Sequence, residues 1–159
     1  MKKIISIIIL FLFLGLGACK SHKSGTTSSA YDTDELVSKA KKHIGTRYKS
    51  GGSEPSKGFD CSGYTRYMFG KFNINLPATA VQQSETGRAV LLSEANKGDL
   101  IFFKGGDAKI KTVGHVGIIV SGRGGSVKFI HASSSKGIMI SSLDEKYFRE
   151  RFVRIRRVK

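Results

Sequence analysis

Gly58-Phe59-Asp60-Cys61-Ser62-Gly63-Tyr64-Thr65-Arg66-Tyr67-Met68-Phe69-Gly70-Lys71-Phe72 begins as a turn and ends as a helix. Tyr64, Tyr67 and Met68, with Phe72 near the end, recur at the spacing of one helical face. Asp60 stands where a carboxylate can cap the first turn, so the helix is expected to open at Cys61. Upstream, Leu36, Val37, Ala40 and Ile44 repeat with the same period. They predict a helix over 34–44, capped by Thr33 and ended by Gly45. Downstream the period changes. Asp99–Phe103, Val113–Val120, Val127–His131, Ile138–Ser141 and Phe152–Val158 are short β-rich runs, separated by turns such as Gly105-Gly106 and Gly122–Gly125. Helices first and strands later predict an α+β domain, with N-terminal helices packed on an antiparallel β-sheet.

The chain as a whole is compatible with one such domain and little else. It has 159 residues, 40% of them hydrophobic and 25% charged, which is ordinary globular composition. Two prolines and no tryptophan exclude collagenous and Pro-rich classes. Two cysteines exclude a disulfide scaffold and a four-thiolate zinc site. There is no internal repeat.

The N-terminus reads as an export signal. Met1-Lys2-Lys3 is followed by an apolar run from Ile4 to Leu16, shorter than the roughly 20 residues of a membrane span. It ends in Leu16-Gly17-Ala18-Cys19, which is similar to a bacterial lipobox. We therefore expect residues 1–18 to be a signal peptide and Cys19 to be the lipidated first residue of the mature chain. Residues 19–32, rich in Ser, Thr, Gly and Lys, would form the lipidated N-terminus and a flexible tether, with the folded domain at 33–159. Lys20 after the cysteine favours the outer membrane, if the cell has one, by resemblance to known sorting behaviour.

Export changes the meaning of the charge. With 27 Lys+Arg against 12 Asp+Glu the chain carries +15; losing Lys2 and Lys3 leaves 25 against 12, or +13. In an exported protein, the counterpart of such charge is an anionic cell envelope rather than nucleic acid, and no nucleic-acid motif is present.

If Cys19 is acylated, Cys61 is the one remaining thiol. In the first turn of a helix it faces unpaired N–H groups and the positive end of the dipole, which favour a thiolate and could hold an oxyanion. A free cysteine is also commonly an inert buried hydrophobe. Two histidines bear on the choice. His115 opens the apolar run His115-Val116-Gly117-Ile118-Ile119-Val120, and His131 ends Phe129-Ile130-His131. If these strands pair through Gly122–Gly125, the imidazoles can meet on one face. A thiol, a base and a group that fixes the base's tautomer make a nucleophilic site. The same three residues could instead bind zinc. His22 and His43 read as ordinary surface or structural histidines.

Several strings now stand in one order: Thr46-Arg47-Tyr48-Lys49-Ser50-Gly51-Gly52, Gly58 to Gly63, Leu76-Pro77-Ala78-Thr79 with Gln82-Gln83, Lys97 to Phe103, Gly114 to Ile118, and Phe129 to Ser133. Together, over roughly 34–159, they resemble the NlpC/P60 family of papain-like cysteine peptidases, which cut peptidoglycan stem peptides. The resemblance implies a catalytic thiol at Cys61, a general base at His115 and an orienting residue at His131. It also implies an oxyanion role for Tyr48 and a substrate-amine contact for Asp60, although an N-cap explains Asp60 equally well. Asp99 reads as structural. The chain departs from the family at Ala78, where many relatives have arginine. The sixteen residues from His115 to His131 are also a few more than usual.

The implied activity is a lipid-anchored cysteine endopeptidase, cutting between γ-linked D-glutamate and the following diamino acid. The expected partners are peptidoglycan stem peptides and, through the lipid, a membrane. No cofactor, metal or nucleic acid is expected, and the chain is expected to be a monomer. A thiol amidase or acyltransferase acting on another substrate, and a non-catalytic envelope-binding module, are the alternative readings.

Overall fold

A computed structural model describes residues 31–106, 112–122 and 126–159. The signal peptide, Cys19, His22, nearly all of the tether and the tip of the Gly122–Gly125 turn lie outside the described residues. Helix α1 (Thr33–Lys41) precedes two short strands, β1 (Ser53–Glu54) and β2 (Gly58–Phe59), and helix α2 (Cys61–Gly70). A one-turn helix α3 (Ala80–Gln83) and strand β3 (Arg88–Val90) lead into β4 (Leu100–Lys104), β5 (Val113–Ser121), β6 (Lys128–Ser133) and β7 (Gly137–Ser142). Helix α4 (Lys146–Arg151) and strand β8 (Phe152–Arg157) close the chain.

The strands from β3 onward form one six-stranded antiparallel sheet in the order β3-β8-β4-β5-β6-β7. The five β-rich runs are all strands of this sheet, each within two residues of its expected ends. The first helix differs from expectation. It is shorter, and its cap is Asp32 rather than Thr33, because the Asp32 carboxylate reaches the N–H groups of both Asp34 and Glu35. Lys42 to Ile44 continue only as turns up to Gly45, whose φ of +87° suits a residue without a side chain. Tyr31, expected in the tether, packs its ring on Phe69 and Phe72.

Strand burial shows that the sheet is covered on both faces. Leu100, Phe102, Val116, Ile118, Ile130 and Ala132 alternate onto one face, where Leu36, Val37 and Ala40 of α1 and Tyr64, Met68 and Phe69 of α2 meet them. Ile101, Phe103, Ile119, Phe129 and Ile155 alternate onto the other, beneath Phe148 of α4 and Leu143. Near-continuous hydrophobic runs in β4 and β5 are the sequence mark of strands buried on both sides. At the β3 end of the sheet, Arg157 makes a two-pronged ion pair with Asp99, which is 1% exposed. The Asp99 carboxylate also accepts from the N–H of Asn96, so its role is structural, as expected.

Candidate active site

Asp60 caps α2 as its position predicts. Its Oδ1 accepts from the Gly63 N–H at 2.6 Å and from the Ser62 hydroxyl, and its Oδ2 from the Gly51 N–H. This carboxylate therefore ties the 51–52 turn to the helix start. The fit is close: a Cβ on Gly63 would collide with the Gly52 carbonyl oxygen. Behind the first turn, buried Gln83 joins the Thr65 hydroxyl and the carbonyls of Ser62 and Pro77. Cys61 is thus anchored at a helix start held from two sides.

Its sulfur lies against β5. The backbone N–H groups of Val116, Ser62 and Cys61 itself reach it and favour the charged form. Burial outweighs them, and the Asp60 charge adds to burial, so the thiol is pushed above its ordinary range. The expectation that the helix start would stabilise a thiolate at rest is therefore corrected. The N–H groups are present, but desolvation of the sulfur exceeds what they return.

Tyr48, Cys61, His115 and His131 share one cleft of about 640 Å³, whose walls also include Phe103, Met139, Ser141, Lys136 and Glu145. Tyr48 is bridged to Phe59 of β2 and is half-buried. Its phenol is pushed up by burial and by the charges of Cys61 and Asp60, so it stays a neutral hydroxyl in the cleft that also holds Cys61. Asp60 stays at the helix cap, with one oxygen held by the Gly63 N–H of the helix start and the other by the Gly51 N–H.

The two histidines meet as their strands predict. Strands β5 and β6 are antiparallel, with Ile118 opposite Ile130. His115 Nε2 lies 2.9 Å from His131 Nδ1, with the rings nearly perpendicular. Gly117 makes this approach possible. It lies two residues beyond His115 on the same face, and a Cβ there would stand 2.8 Å from a Phe129 ring carbon and 3.3 Å from His131 Cβ. The far nitrogen of His131, Nε2, lies 3.2 Å from the hydroxyl of buried Ser141. Sequence reasoning had not singled out Ser141. Its only signal was strand alternation, because Met139 pairs with His131 and Ser141 follows two residues later.

Aromatic rings enclose this pair. Phe129 and Phe148 flank His131 at centroid distances of 5.2 and 5.3 Å, and Phe103 lies 6.2 Å from His115. Such walls disfavour charge. Burial takes His115 from 6.5 down to about 4, and burial together with the neighbouring His115 takes His131 down to about 3. Both are neutral imidazoles near neutral pH. His43, away from the cleft, presents an edge contact to Phe59, Tyr64 and Tyr67, in keeping with its structural reading. Among the described residues, no three His, Cys, Asp or Glu side chains are grouped as metal ligands.

Comparison with known proteins adds to this geometry. Residues 45–157 match the NlpC/P60 family. The chain is similar to the murein DD-endopeptidase MepS/murein LD-carboxypeptidase of Escherichia coli strain K12, 41% identical over 115 residues covering 72% of this chain and 56% of that protein. It is also similar to the probable endopeptidase NlpC of the same strain, 34% identical over 157 residues covering 95% of this chain and 97% of that one. A crystal structure of an NlpC/P60 family protein from Bacillus cereus superposes with a TM-score of 0.71 at 30% identity, over 80% of this chain and 40% of that one. The chain thus spans just over half the length of the first relative and well under half of the solved protein.

Proposed function

The chain belongs to the NlpC/P60 family, and from that premise we propose that it is a lipid-anchored cysteine endopeptidase cutting amide bonds in peptidoglycan stem peptides. The observation that carries this reading is the cleft in which Cys61, at a helix start, shares a wall with the His115–His131 pair.

The chemistry follows from proton positions. His115 Nε2 is committed to His131, which leaves Nδ1 for the thiol. As the sulfur attacks the scissile carbonyl, Nδ1 takes its proton. The tetrahedral oxyanion is held by the Cys61 N–H and the Tyr48 hydroxyl. His115 then protonates the leaving amine, and water, with His115 as its base, releases the acyl group. His131 touches no substrate. It orients the ring and steadies the imidazolium.

The bond we propose is that between γ-linked D-glutamate and the diamino acid, as the family resemblance implies. Cleavage of a D,D bond is the second reading, favoured by the name of the 41% identical relative. The anchor is proposed on the string Leu16-Gly17-Ala18-Cys19. It places the domain at the envelope face of a membrane, in the outer membrane if the cell has one, acting as a monomer.

Digestion of purified peptidoglycan by the full chain, with fragments identified by mass, tests the reaction and the bond together. The mass of the mature N-terminus reads the lipid. Cys61→Ser and His115→Ala should lose roughly 10³-fold or more, while His131→Asn keeps measurable turnover, because an amide can replace one orienting acceptor. Normal cleavage by Cys61→Ser would end the peptidase reading. A dead His131→Asn beside an active His115→Ala would exchange the two histidines' roles.

A further inference from the structure

We propose that Ser141 is a positioning residue that sets the tautomer of both histidines, and so decides whether Nδ1 of His115, the nitrogen not engaged by His131, is free to take the thiol proton. The inference rests on the peptidase reading for its kinetic consequence but not for its geometry.

His131 is 3% exposed and walled by Phe129 and Phe148, so its ring nitrogens depend on protein partners. A buried Nε2 without a partner would be an orphaned polar atom, and the Ser141 hydroxyl 3.2 Å away is the partner it has. Strand pairing fixes that hydroxyl. Ser141 is opposite Phe129 and Met139 is opposite His131, so alternation brings residues 129, 131, 139 and 141 to one face.

Two polarities are possible along this chain of three groups, and they differ chemically. If Ser141 accepts from His131 Nε2–H, then His131 Nδ1 is an acceptor. It takes the Nε2–H of His115, and His115 Nδ1 is left bare for the thiol proton. If Ser141 donates instead, His131 carries its proton on Nδ1 and points it at His115 Nε2. The His115 proton is then forced onto Nδ1, and no base faces the sulfur. Among the described residues neither imidazole is hydrogen-bonded to a carboxylate, which would otherwise fix the polarity. Glu145, Lys104 and Lys136 line the same cleft, and the Glu145 carboxylate accepts from the Ser142 N–H. The task therefore falls to a hydroxyl in its accepting role.

The test compares Ser141→Thr with Ser141→Val, two side chains of one shape that differ by the hydroxyl. Nitrogen-15 imidazole spectra of the full chain report the tautomers without any substrate. Wild type and Ser141→Thr should show His115 and His131 both protonated at Nε2. Ser141→Val should shift His131 toward the Nδ1–H form. In turnover, Ser141→Val should lower kcat about tenfold with KM within about twofold, the scale of one hydrogen bond that orders a base, and Ser141→Thr should restore kcat. Equal kcat and equal tautomers in the two variants would overturn the proposal, as would a loss of kcat with tautomers unchanged. If Ser141→Val does not fold, Ser141→Ala against wild type gives the same pair of readings. If wild type cleaves no stem peptide, the peptidase reading fails while the spectra still decide the role of Ser141.

Discussion

Lowering the pH should destabilise this protein through its two cleft histidines, and the size of the effect can be worked out. In an unfolded chain a histidine titrates near 6.5, whereas His115 in its aromatic surroundings titrates near 4. Above pH 6.5 both states are neutral, and the group contributes no pH dependence. Between 6.5 and 4 the unfolded chain takes up a proton that the folded protein refuses, so stability falls as pH falls. Below 4 both states carry the proton and the loss stops growing. At about 1.4 kcal/mol per pH unit the full loss is roughly 3 kcal/mol, of which roughly 2.5 kcal/mol falls between about pH 7 and 4.5. His131, down to about 3 and hydrogen-bonded to His115, titrates with it as a pair, so His115 alone sets the lower bound. The assay is urea unfolding of the wild type and of the His115→Asn/His131→Asn double variant at both pH values. The carboxylates are common to both proteins and cancel in the comparison. Wild type should lose at least roughly 2 kcal/mol more than the double variant on acidification. Equal losses would refute the claim that the cleft keeps these imidazoles neutral.

Two further outcomes follow from packing. Gly117→Ala should cost about 1–3 kcal/mol of stability and lower kcat, because its Cβ would press on the Phe129 ring and on His131; unchanged thermal unfolding and turnover would show that the strands yield without moving the imidazole. Asp99→Ala should cost about 1–3 kcal/mol by leaving the Asn96 N–H unpaired and Arg157 with the Glu94 carbonyl but no carboxylate, yet keep kcat in protein that remains folded at low temperature; a loss under about 0.5 kcal/mol in urea unfolding would make the pair dispensable.

How much of this was legible in the sequence depended on whether a residue's role is local. Strands β4 to β8 were readable because β-branched and aromatic runs bounded by glycine state their own period. Strand β3 was not: Arg88-Ala89-Val90 is three residues at a sheet edge, two of them exposed, and carries no pattern. Helix α4 escaped for a similar reason, since Phe148 is its one buried residue. Cys61, His115 and His131 were legible as chemical types, and their strand positions were enough to bring the imidazoles together. Ser141 and Gly117 were not, because a small residue in a strand acquires its role only through what lies across the sheet. Gln83 is the same case in the helical layer: a residue legible only as one of the pair Gln82-Gln83 becomes the buried tie between α2 and Pro77.

The electrostatics of the cleft lead to a view of the resting enzyme that neither the helix start nor the histidine pair suggests alone. Burial raises the thiol and lowers both imidazoles, so every desolvation effect in the site favours the uncharged arrangement of thiol and neutral ring. An ion pair would need charge to appear between apolar walls, with only three backbone N–H groups to receive the negative end. Proton transfer is therefore unfavourable until something else gains from it. In the proposed reaction that gain is bond formation: negative charge passes from sulfur to a carbonyl oxygen placed beside the Tyr48 hydroxyl and the Cys61 N–H, while the positive charge on His115 is spread toward His131. The aromatic cage and the hydroxyl of Ser141 then act in one sense. The cage keeps the relay uncharged at rest, and the hydroxyl keeps its protons on the side from which His115 can act. A thiol held in this way would be nucleophilic when a carbonyl is bound and protonated, and so less open to oxidation, when none is.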